Sequence, residues 1–174
     1  LTNPVGGNPL NYPLRNHKKL IVTDDAAWIG GINFSDHNFA WHDMMLRIED
    51  AEVADWLADH FAADWHGKPQ TASRAFGDVL ELLSLDGRTN APAFAPLLEL
   101  FGSAARSVEL VSAYPTFPFI DALAATARRG VPVTLYTPRA NNKPIIRDYL
   151  MGEARRTGIA IRLLAEMTHV KAAL

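Results

Sequence analysis

His17-Lys18-Lys19-Leu20-Ile21-Val22-Thr23-Asp24 opens a stretch that runs on to Gly30-Gly31-Ile32-Asn33. A shorter copy, His169-Val170-Lys171, stands near the other end and is followed by Ala172-Ala173-Leu174. Successive side chains alternate along an extended segment, so a His and a Lys two apart project to one side. An imidazole and an ammonium presented together form a unit for attacking or holding a phosphate. Two such units would bring two imidazoles and two ammoniums to one phosphodiester. The same alternation, counted from Lys19, puts Asp24 on the opposite side of an unbroken strand or in the turn after it, away from substrate.

Working outward, Lys19 to Asp24 predicts a strand, Asp24-Asp25 a turn and Ala27 to Gly31 a second strand, so the motif sits on a hairpin. Residues 1–16, rich in Asn, Gly and Pro, read as loop. Asp43 to Glu49 predicts a third strand. Val53, Trp56, Leu57, His60, Phe61 and Trp65 then follow helical spacing behind an Asp50 cap. Residues 66–78 read as polar and irregular. Beyond them Val79–Leu85 is extended, and Phe94, Leu97, Leu98 and Phe101 form a helical stripe. Strands at Val108–Ser112, Val131–Tyr136 and Ile159–Leu163 alternate with helices over Ile120–Ala127 and Ile145–Arg156, closed by Gly130 and Gly158. That alternation predicts an α/β sandwich with a mixed, largely parallel sheet.

The composition is that of an ordinary α/β protein: 174 residues, 48% hydrophobic and 21% charged. With 17 basic and 19 acidic side chains the formal charge is -2, without the basic excess of a nucleic-acid binder. The absence of cysteine excludes disulfides and thiolate metal sites. No apolar run approaches the length of a membrane span, and no signal peptide is visible. The second motif stops before its Asp and Asn, and the chain opens on Leu1, which predicts a piece of a longer protein with any anchor outside this chain.

His17, Lys19, Asp24, Gly31 and Asn33 fall in register with H-x-K-x-x-x-x-D followed by G-G/S-x-N. The chain thereby resembles the phospholipase D superfamily, in which this signature stands once in each of two related halves. His17 through Trp65 looks most like the first motif of bacterial cardiolipin synthases, including Trp41-His42-Asp43 and Asp64-Trp65. Ala113-Tyr114-Pro115-Thr116-Phe117-Pro118 is similar to their aromatic–proline segment, with Tyr and Pro in a different order. The resemblance implies duplicated pseudo-two-fold halves, both incomplete here. Residues 1–66 would be the C-terminal part of the first half, 67–78 a linker, and 79–174 the N-terminal part of the second, ending inside its motif.

What the resemblance implies for chemistry agrees with the residues. Imidazole is a competent nucleophile toward phosphorus, and it titrates near neutral pH. One of His17 and His169 would form a phosphohistidine and the other would act as acid and then base; the motif leaves open which is which. Lys19, Lys171 and Asn33 would hold the non-bridging phosphate oxygens. Asp24 would be mainly structural within the motif. Gly30-Gly31 would let backbone approach the phosphate or the partner half closely. Asp43 matches an acid that hydrogen-bonds an imidazole of the opposite motif in the family. His37, His42 and Asp43 lack metal-ligand spacing, and neither metal nor cofactor is expected. His60 and His66 read as packing on their helix, and Arg128, Arg129, Arg139, Lys143, Arg147, Arg155 and Arg156 as solvated faces. The expected function is phosphatidyl transfer on a phospholipid such as phosphatidylglycerol, at a bacterial cytoplasmic membrane surface. Alternatives are a hydrolytic phospholipase D, a nuclease or phosphodiesterase with the same site, and a silent binding module.

Overall fold

A computed structural model describes residues 16–174. Their contacts gather into two compact units: one runs through Gly30 and resumes over Met45–Ala95, and the other takes Gly31–Met44 and Pro96–Leu174. The loop expected over residues 1–16 falls, except for Asn16, outside the described residues.

In the first unit, β1 (Leu20–Val22), β2 (Ala27–Gly30) and β3 (Met45–Ile48) form an antiparallel sheet in that order. Leu20 faces Ile29 and Val22 faces Ala27 across the first pair, as the hairpin reading expects. Asp43 and Met44 lie before β3 instead of inside it, since the ladder with β2 begins at Met45. Helix α1 (Ala51–Trp65) starts where Asp50 accepts from the amides of Glu52 at 2.8 Å and Val53 at 3.2 Å. Two of the first-turn donors that a helix leaves unpaired are met in this way. Val53 and Leu57 pack on Ala27, Phe76 and Leu82, with Leu20, Ile29 and Trp56 around them.

Residues 66–78, expected to be irregular, contain a strand. β4 (Ala72–Phe76) pairs antiparallel with β5 (Leu80–Ser84), and Phe76 enters the core of the first unit. Ala72-Ser73-Arg74-Ala75 carries no apolar alternation and is mostly exposed, so its pairing with β5, not a buried face of its own, makes it a strand. The first unit is therefore antiparallel throughout. It ends with the short helix α2 (Asn90–Ala93), and α3 (Ala95–Ser103) leads onward.

The second unit holds the parallel sheet. β6 (Val108–Val111), α4 (Phe119–Arg128), β7 (Val133–Pro138), α5 (Pro144–Thr157), β8 (Ala160–Leu164) and β9 (Ala172–Ala173) follow in chain order, with sheet order β8-β7-β6-β9. β6, β7 and β8 are mutually parallel, while β9 runs antiparallel to β6 through Leu110–Ala173 and Val111–Ala172. Ile120, Leu123 and Ala124 of α4 and Leu150 of α5 pack on Val108, Leu110, Val133 and Leu135. α5 stops at Gly158, whose φ of 79° is the left-handed conformation that glycine adopts without penalty. The mixed α/β architecture is the one the alternation predicts. Among the described residues no helix is long and apolar enough to cross a membrane.

Candidate active site

The first His-x-Lys copy enters β1. His17 is exposed and Lys19 half-buried. Lys19 Nζ lies 2.8 Å from His17 Nδ1 and donates to the His17 carbonyl at 2.7 Å. Lys18, between them, meets a different set of partners. Its Nζ is 2.9 Å from Asp64 Oδ2 and 2.9 Å from Ser84 Oγ, and Asn16 Nδ2 donates to the same carboxylate oxygen at 3.0 Å. Asp24 lies exposed in the turn closed by the Thr23 amide and the Ala26 carbonyl at 2.8 Å. A cavity of about 650 Å³ in this unit is bordered by His17, Lys19, Ile29, His60, Asp64 and Leu82. His60 lies beside Trp56, its ring tilted at 58° with centroids 4.2 Å apart. Burial, and then the Lys18 charge, hold the His60 pKa below its ordinary 6.5.

The second copy is built in the other unit around a buried histidine. His169 is 8% exposed, and its Nδ1 lies 2.8 Å from Asp43 Oδ2. A carboxylate accepts, so Nδ1 carries the proton and Nε2 is the nitrogen left for other chemistry. The backbone holds the same two strands of chain together. His169 N donates to the His42 carbonyl at 2.7 Å, and His42 N donates to the Met167 carbonyl at 2.9 Å. Lys171 Nζ donates to the His169 carbonyl at 2.6 Å.

Gly31 explains how the Asp43 carboxylate fits. A Cβ at Gly31 would stand 2.4 Å from Asp43 Oδ1, closer than atoms approach, so the missing side chain makes room for the acid. The Gly31 amide also donates to the Met44 carbonyl at 3.1 Å, and Asp43 Oδ1 accepts from the Met44 amide at 2.9 Å. Close approach therefore serves the acid that holds His169. Gly30 ends β2, its amide 3.4 Å from the Lys19 carbonyl. Asn33 stands half-buried in the following loop, its carbonyl accepting from Ser35 N at 2.9 Å.

Two aromatic rings flank the His169 imidazole, Trp41 at 5.8 Å and Tyr114 at 6.0 Å between centroids. Tyr114 donates its hydroxyl to Asn142, and Lys143 Nζ lies 5.2 Å from its ring centroid. Burial raises the Tyr114 pKa above its ordinary value, and the hydrogen bond to Asn142 offsets part of that rise. His42 pairs with Glu166 at 2.7 Å. Among the described residues no three His, Cys, Asp or Glu side chains converge in a group that could hold a metal ion. Trp41 and Tyr114 stand in stretches that sequence reasoning quoted, but spacing offers no sign that their rings meet one imidazole. Lys18 was passed over because the motif leaves its position unspecified.

Residues 6–65 match the family model of the cardiolipin synthase, PLD-like domain. Cardiolipin synthase A of Yersinia pseudotuberculosis is 27% identical to this chain over 77% of its length and 32% of the relative's. The protein of the same name from Yersinia pestis aligns with the same identity and coverage. The chain thus spans about a third of the curated relatives it matches. The crystal structure of phosphatidylserine synthase from Haemophilus influenzae superposes with a TM-score of 0.66 at 15% identity, covering 94% of this chain and 52% of that one. That likeness establishes the phospholipase D-like fold.

Proposed function

We propose that the chain belongs to a phosphatidyl-transferring enzyme of the cardiolipin synthase type, with both His-x-Lys copies serving one two-step transfer. The observation that supports this most is His169 held at Nδ1 by buried Asp43, with Lys171 two residues on. This is how an imidazole is oriented for proton or phosphoryl transfer. In this proposal residues 1–66 are the C-terminal part of a first half, 67–78 a linker, and 79–174 the N-terminal part of a second.

In the first step one imidazole attacks phosphorus through its unprotonated ring nitrogen. The bond to the leaving glycerol oxygen breaks, and the other imidazole, protonated, supplies that oxygen's proton. In the second step an acceptor hydroxyl attacks the phosphohistidine while the now neutral imidazole takes its proton, and the P–N bond breaks. Lys19, Lys171 and Asn33 stabilise the non-bridging oxygens as charge builds on them. Each displacement inverts phosphorus, so the overall transfer retains configuration. The substrate is a phospholipid, with phosphatidylglycerol as donor and acceptor, met at a membrane surface.

Labelled phosphatidylglycerol vesicles given to the full-length protein test this. Cardiolipin and glycerol are the expected products. Phosphatidic acid as sole product moves the assignment to a hydrolytic phospholipase D, and cleavage of single-stranded DNA without lipid turnover moves it to a nuclease. In the same assay His17→Ala and His169→Ala should each lower kcat by about 10⁴-fold or more, with unchanged circular dichroism. Near-normal turnover by either variant ends the paired-histidine mechanism.

A further inference from the structure

Lys18 sits between the two reactive residues of the first copy, and on an extended segment its side chain leaves from the opposite side. That side chain stays 29% exposed, but its end is held by protein groups. Its ammonium meets Asp64 Oδ2 and Ser84 Oγ at 2.9 Å each, and Asn16 adds a third contact, to Oδ2 at 3.0 Å. Asp64 is 8% exposed and Ser84 6%.

Asp64 is a poor choice for the helix that carries it. It lies in the last turn of α1, where the backbone presents the negative end of its dipole and no basic residue stands nearby on the helix. Burial penalises a carboxylate there a second time. Among the contacts described, the cation and the amide that offset both penalties come from residues 16 and 18, on either side of His17. The acid therefore serves the motif segment, at the expense of its own helix.

We propose that Lys18 and Asp64 are positioning residues, a half-buried ion pair braced by Ser84 and Asn16. It pins the segment 16–19 to α1 and β5, so that His17 and Lys19 leave the other side in a fixed direction. The activity arm of the test rests on the phosphodiester-transfer reading above.

The test uses the full-length protein and two readouts: lipid turnover, and the ring carbon–proton NMR signals of His17. Lys18→Met with Asp64→Leu replaces the pair by apolar side chains, an exchange that buried ion pairs often tolerate in stability. This double variant should melt close to wild type, yet lose about 100-fold in kcat with KM little changed, as a misplaced reacting group does. The His17 signals should shift or broaden. Lys18→Arg, which keeps the charge and the pair, should retain both readouts. A folded double variant with wild-type kcat and unchanged His17 signals overturns the proposal. Should the double variant fail to fold, Lys18→Gln decides on the same two readouts, and wild-type behaviour by it overturns the clamp equally. A wild-type protein that turns over no lipid, while His17 signals move in the variants, removes the functional reading and leaves the clamp standing.

Discussion

The two His-x-Lys copies are alike in one contact and opposite in the rest. In each, the lysine ammonium donates to the carbonyl of its own histidine, at 2.7 Å in the first copy and 2.6 Å in the second. That shared bond is what an extended H-x-K segment makes locally. Within the first copy Lys19 Nζ also lies 2.8 Å from His17 Nδ1; the contacts compared next come from the surroundings. The second copy is oriented through the imidazole itself, by Asp43 and two flanking rings. The first is anchored through the residue between, Lys18, from behind. One motif can thus be stiffened at the reacting ring or at the backbone that carries it, and the sequence signature is silent on which.

The comparison is broken most severely at Asp43. Asp43→Asn keeps the shape but removes the charge opposite His169. A charge-assisted hydrogen bond contributes about 1.5–3 kcal/mol, so kcat should fall about 10- to 100-fold in the full-length protein. Unchanged kcat would mean that the second copy is not oriented through its ring. Gly31→Ala sharpens the same point with a smaller effect. The new Cβ would displace the Asp43 carboxylate, and a fall of about 10-fold is expected, a fraction of the same interaction. Combined with Asp43→Asn it should add little, because both changes act on one contact. Full additivity in steady-state kinetics would separate Gly31 from Asp43.

The smallest effect is on stability and belongs to the first copy's surroundings. The folded state holds His60 with its pKa below the ordinary 6.5. Between the two values the unfolded chain binds more protons, so the contribution is fully present above pH 6.5 and is lost as pH falls below it toward the folded pKa. Urea midpoints at pH 7.5 and 5.5 should differ more for wild type than for His60→Phe, which cannot titrate. An equal difference in the two proteins would remove His60 as the cause.

The sequence made much of this legible where patterns are local. The β1–β2 hairpin, the Asp50 cap of α1, and Gly158 at the end of α5 each rest on residues within a few positions of one another. β4 was hidden because its residues are mostly exposed and polar, and only β5 makes them a strand. The mixed sheet was expected, with a hairpin at the first motif and parallel strands where helices intervene; the first unit's short connections permit antiparallel pairing and use it. Asp43 was singled out through a family resemblance, since no periodicity joins it to His169. Lys18 drew no reading because its partners, Asp64 and Ser84, come from a helix end and a strand read separately.

Residues 31–44 leave the first unit after β2, take part in the second, and return the chain to β3. Asp43 and the imidazole it holds are 126 positions apart. On a ribosome adding about 5–20 residues each second, the acid emerges several seconds to tens of seconds before its histidine exists. During that interval β2 and β3 can already pair, while the excursion between them waits for its counterpart. Severing the chain between β3 and α3 would therefore yield no self-sufficient C-terminal piece, because the second unit would lack the carboxylate at its own centre. Co-expressing the two pieces in one cell, rather than mixing them after purification, is the arrangement that gives residues 31–44 their proper company from the start.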